Sequence, residues 1–119
     1  MRDITELERR LIEGVASRLA PLEASGLTAD LERAVVADDA VPGARVVFAI
    51  AGYERPSYKG QHSYPVEIRL SDADGAELTA VLYADENNRL YELEIIRWGE
   101  GSPLAPDASS ARFYYLAER

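Results

Sequence analysis

The chain has 119 residues, 47% of them apolar and 29% charged, with 21 acidic against 13 basic side chains, a net charge of −8 and a pI near 4.6. This is enough sequence for one domain with its own core, and the composition is that of a globular protein, not a disordered acidic tail. The negative excess disfavours nucleic acid and anionic membranes as direct partners, and the absence of cysteine removes disulfides, thiolate metal ligands and a thiol nucleophile.

No apolar run approaches the ~20 residues needed to cross a bilayer. The start, MRDITELERR, is too polar for a secretory h-region, so a cytoplasmic location is expected. In chain order, residues 3–20 predict an amphipathic helix, with Ile4, Leu7, Leu11, Val15 and Leu19 at three- and four-residue steps. Two capping boxes compete at its start, Asp3 with Glu6 and Thr5 with Glu8, and Glu8 is expected in water. Pro21 is expected to end the helix, because it lacks a backbone N–H and crowds the preceding turn. A loop holding Ser25 and Gly26 follows. Residues 31–38 then read as a strand on the strength of β-branched Val35 and Val36, and Pro42-Gly43 turns into a second strand at 45–51.

Residues 52–61 read as a loop presenting Tyr53, Arg55, Tyr58 and Lys59, residue types suited to a contact surface or to packing along a sheet edge. An antiparallel meander comes next, with strands at about 64–71, 77–84 and 89–97 separated by Asp72-Ala73-Asp74-Gly75 and Asn87-Asn88 turns. Its period of two sends Val66, Ile68, Leu70, Leu78, Ala80, Leu82, Tyr91, Leu93 and Ile95 to the core. Glu67, Val81, Tyr83, Leu90, Glu92, Glu94, Ile96 and Trp98 fall on the opposite parity. That face is too apolar for a fully solvated one, so the C-terminal tail, 99–119, or a partner is expected to cover it. The sum is one α+β domain over 1–119, with an N-terminal helix packed on a predominantly antiparallel sheet of four to five strands.

Residues 66–100 supply −6 of the net −8. Glu67, Glu92 and Glu94, with Asp85 and Glu86 at one end, therefore predict an acidic docking face. Tyr53, Tyr58, Tyr83 and Trp98 are its candidate anchors. The catalytic alternatives are thin. Aligning Gly75 with a calcium-loop glycine puts Leu70 and Val81 at ligand positions, where oxygen is required. His62 is a lone histidine outside any nucleophile motif, and the Glu92/Glu94 pair lacks a sequence signal for a pocket that would separate two carboxyl pKa values. No catalytic residue, metal or cofactor is assigned.

The segment LTAVLYADENNRLYELEIIRWGEGSPL resembles a family of short bacterial domains that share an acidic D-x-D-G turn, an "LYELEI-x-R" strand and a Ser-Pro. Here these are Asp72, Asp74 and Gly75, then Leu90 to Ile95 with Arg97, then Ser102 and Pro103. The resemblance implies an immunity protein of a contact-dependent or polymorphic toxin system, monomeric until it binds. Its partner would be a cognate basic toxin domain, such as a nuclease, held without catalysis. The alternatives are a small-molecule-binding or regulatory domain and a hydrolase built on the glutamate pair.

Overall fold

The computed structural model describes residues 1–116, which form an α+β fold of two helices and a seven-stranded antiparallel sheet. Helix α1, Glu6–Ala16, starts at the second of the two capping boxes. The Thr5 hydroxyl accepts from the Glu8 amide at 3.1 Å, and the Glu8 carboxylate accepts from the Thr5 amide at 2.9 Å. Glu8 also receives both outer nitrogens of Arg2, so it is buried in that pair and not in water. The helix stops four residues short of its expected end.

Pro21 begins a helix instead of ending one. It is the first residue of α2, Pro21–Glu32, where its fixed φ fits and its missing N–H costs nothing. The expected Ser25-Gly26 loop lies inside this helix, and the strand expected at 31–38 becomes β1, Ala34–Val41. Strand β2, Arg45–Ile50, follows the Pro42-Gly43 turn as the sequence predicts, with Gly43 at φ +79°. A short β3, Gln61–Ser63, pairs with the far end of β5, Glu77–Asp85, ahead of β4, Val66–Ser71. Strand β6 is Leu90–Arg97.

The expected tail contains a seventh strand, β7, Asp107–Tyr115, and the last three residues of that tail lie outside the described residues. The strands lie in the order β1-β2-β6-β5-β4-β7. The tail therefore extends the sheet along β4 and leaves the open face uncovered. Val66 sits opposite Tyr115 and Ile68 opposite Phe113. Phe113 turns toward α1, where its ring occupies the space that a Cβ on Gly14 would take.

Both helices cover one face of the sheet. Leu11, Ile12 and Val15 of α1 and Leu27 and Leu31 of α2 close over Phe48, Ile68, Leu78, Leu82 and Leu93. Each such buried side chain contributes about 1.5–3 kcal/mol. One bulge changes the expected alternation. Tyr83 pairs with Glu92 but Ala84 pairs with Leu90, which leaves Tyr91 as the extra residue. Leu90, expected outside, is fully buried in the core. Tyr91, expected inside, turns out toward Tyr58, with ring centroids 6.3 Å apart.

Candidate partner-binding surface

Alternation along β5 puts Leu78, Ala80 and Leu82 under the helices and leaves Thr79, Val81 and Tyr83 on the open side. In register, Val81 lies opposite Glu94 and Thr79 opposite Ile96. From the other neighbours, Arg45 faces Glu94 across β2–β6, and Glu67 faces Tyr114 across β4–β7. The apolar members stay in water: Ile96 is 39% exposed, Tyr114 45% and Trp98 68%. Trp98 is nevertheless fixed, because its indole N–H donates to the Thr79 hydroxyl at 2.7 Å. The result is a held aromatic plate next to Ile96, and beyond Ile96 on the same face stands Glu94, a carboxylate without an ion-pair partner among the described residues.

This face is not uniformly acidic. Arg69 pairs with Glu67 at 3.3 Å and lies directly opposite Arg112. Tyr83 is half-buried, and its hydroxyl is pushed up first by burial and then by the charges of Glu94 and Glu92.

Two of the acids expected to be exposed on the open surface are buried. Glu92 is 3% exposed, and its carboxylate accepts from the Arg45 guanidinium at 3.1 and 3.4 Å. Asp85, also 3% exposed, closes the β5–β6 turn. Its Oδ1 accepts from the amides of Asn87 and Arg89, and its Oδ2 from the Tyr53 hydroxyl at 2.6 Å and Arg55 at 2.7 Å. Burial pushes this carboxyl up, but the Tyr53, amide and Arg55 hydrogen bonds outweigh burial and hold it below the usual carboxylate range. The expectation of one exposed acidic cluster is corrected for these two residues. A charge that sequence places next to water is covered when an arginine from elsewhere in the chain meets it.

Arg55 does more than neutralise Asp85. Its other terminal nitrogen donates to the Phe48 and Leu90 carbonyls at 2.8 and 2.9 Å, beyond the last β2–β6 pair, where the bulge separates the strands. The guanidinium stands in for missing ladder bonds, 4.7 Å from the Tyr91 ring. Tyr53, expected as an anchor, is half-buried under Arg89, whose guanidinium lies 4.2 Å from its ring and also grips Asp30 of α2 through two nitrogens. A matching arrangement holds the opposite end of the sheet. Asp72, 3% exposed, accepts from the amides of Ala73, Leu104 and Ala105 and from Arg97, and Arg97 also pairs with Asp74.

Of the nine residues proposed for docking, the structure brings Glu67, Tyr83, Glu92 and Glu94 onto the open face, Glu92 buried there, with Trp98 anchored through Thr79. Glu86 is exposed at the β5–β6 turn and Tyr58 is 68% exposed on the preceding loop, while Asp85 and Tyr53 belong to the network at that turn and Glu92 lies on the open face buried beneath Arg45. Sequence reasoning missed the clasping roles of Asp30, Arg45, Arg55 and Arg89. None carries a local signal, since each partner is 30 or more positions away. No group of three His, Cys, Asp or Glu suited to a metal occurs among the described residues, and no helix there is long and apolar enough to cross a membrane.

A family model described as a domain of unknown function, DUF6984, matches residues 1–105, which leaves β7 beyond the matched region. No curated protein and no solved structure matches the chain.

Proposed function

For this chain, which belongs to the DUF6984 family, we infer a binding role: an immunity-type protein that neutralises a cognate toxin domain by stoichiometric, non-covalent association. The supporting observation is the open sheet face. A tryptophan 68% exposed yet pinned by a hydrogen bond loses little freedom on docking, as an interface anchor should. Ile96 beside the Thr79 anchor and Tyr114 on the edge strand add apolar surface, and Glu94 and Glu67 place carboxylates between them, Glu67 already paired with Arg69. A net charge of −8 favours encounter with a basic partner in the cytoplasm and repels nucleic acid. The resemblance of residues 78–104 to domains encoded beside toxins supports the same reading. Asp85, Glu92 and Tyr53 enter as scaffolding for this face, not as contacts.

Co-expression with the product of the adjacent gene tests the proposal. A 1:1 complex on a sizing column and restored growth are expected. Trp98→Ala should weaken the complex by about tenfold or more, the scale of a buried interface anchor. Glu94→Lys should weaken it and flatten its salt dependence, with unfolding midpoints unchanged in both variants. Absence of a complex, or full-strength binding by both variants, would remove the idea.

A further inference from the structure

A cavity of about 450 Å³ opens between the first turns of α2 and the β3–β4 link, away from the open sheet face. Its size falls in the range of small-molecule sites. Leu19, Leu27 and Pro65 give apolar walls, and the rings of Tyr64 and Tyr115 line it from the sheet side.

Two features are poor choices for stability alone. Gly26 sits in the interior of α2, where glycine costs about 1 kcal/mol relative to alanine. A Cβ there would meet none of the described residues within 4 Å, so packing does not require the glycine, which lines the cavity. At the mouth, Leu22 is 83% exposed and Tyr115 57%. Beneath the surface the Tyr64 hydroxyl is buried without a hydrogen-bond partner among the described residues.

The lining also sets the sign of a ligand. Among the described residues Glu23 is its only carboxylate and no lysine or arginine lines it, while His62, Ser63 and Asn88 add hydrogen-bonding groups. Two tyrosine rings and a carboxylate, with His62 beside them as a further ring, suit an ammonium group carried on an apolar body. We propose that this cavity is a binding site for a small organic amine, with the ammonium toward Glu23 and the apolar body between Tyr64 and Tyr115. The site is separate from the protein-docking face and does not depend on it.

Three probes with one skeleton test this: 2-phenylethylamine, 2-phenylethanol and phenylacetate, each added to the full chain at about 10 mM, a concentration at which a millimolar ligand raises the melting temperature measurably. The amine should raise it most, the alcohol less, and the acid not at all. Amide NMR shifts caused by the amine should centre on Gly26, Ser63 and Asn88. Glu23→Gln should lower amine affinity about two- to fivefold, the scale of a solvent-exposed charge contact, and leave the alcohol unchanged. Gly26→Phe should abolish every response by filling the space. Equal stabilisation by the acid, no response to any probe, or NMR shifts centred elsewhere would overturn the proposal. The NMR arm uses the unaltered protein and decides the matter even if Gly26→Phe folds poorly.

Discussion

Asp85 and Glu94 bracket the same hairpin and carry the same charge, yet they do opposite work. Asp85 is buried at the turn end, accepts four hydrogen bonds and fastens the loop carrying Tyr53 and Arg55 to the sheet. Glu94 stands mid-strand on the open face, with Val81 and Arg45 as its cross-strand neighbours and no ion-pair partner among the described residues. The difference is supplied by distant arginines, not by local sequence. A carboxylate becomes structural where the fold brings it a guanidinium and backbone amides, and stays available where it does not.

The largest expected effect tests the fastened end. Arg55→Ala leaves Asp85 short of its cation and strands the Phe48 and Leu90 carbonyls, so it should cost about 3–5 kcal/mol in chemical unfolding. A loss below about 1 kcal/mol would mean that water replaces the guanidinium freely.

Next come two glycines of the helical layer. Gly14→Ala drives a methyl group into the Phe113 ring and should destabilise by about 1–3 kcal/mol, loosening β7 against α1. Gly26→Ala has open space around it and should stabilise by about 0.5–1 kcal/mol. Equal effects at the two positions would show that Phe113 does not seat on α1 as described.

Acid sharpens the contrast further. Glu8, Asp72, Asp74 and Asp85 are all held below their ordinary values, Asp74 at about 2 by its bond to Arg97. A carboxyl whose folded pKa is depressed binds its proton less readily in the native state. Its stabilisation is complete above the unfolded value near 4 and is lost as pH falls through the folded one. Unfolding midpoints should therefore hold steady down to about pH 4 and drop between about pH 4 and 2. Arg97→Gln should make that drop shallower. The smallest effect belongs to the open face, where Trp98→Ala should change stability by no more than about 1 kcal/mol while its partner binding suffers most.

How much of this was readable follows the same division between local and distant causes. The meander strands and their inner faces were legible because Leu78, Ala80 and Leu82 alternate strictly with half-exposed residues. The Thr5/Glu8 box was legible as a four-residue pattern, although Arg2 drew Glu8 inward. Helix α2 was not, because its buried Leu27 and Leu31 sit among alanines, a serine and a glycine without a clear apolar stripe, and Pro21 reads equally as a stop and a start. Strand β7 was hidden by the Gly/Ser/Pro-rich approach to it. Its burial pattern alternates weakly, as suits an edge strand. The bulge at Tyr91 reversed the expected sides of Leu90 and Tyr91, and the guanidinium that meets the Leu90 carbonyl there comes from Arg55, 35 positions away. For the candidate site, parity found Glu67, Tyr83 and Glu94, whereas no local feature marks Glu92 as the partner of Arg45.

The most direct test sets two isosteric changes side by side in one denaturant titration. Asp85→Asn should lose about 3 kcal/mol or more, because Arg55 keeps its burial and loses its counter-charge, and Glu94→Gln should stay within about 0.5 kcal/mol of the parent chain. Matching midpoints for the two variants would contradict the division of the acidic side chains into internal fasteners and a free docking face.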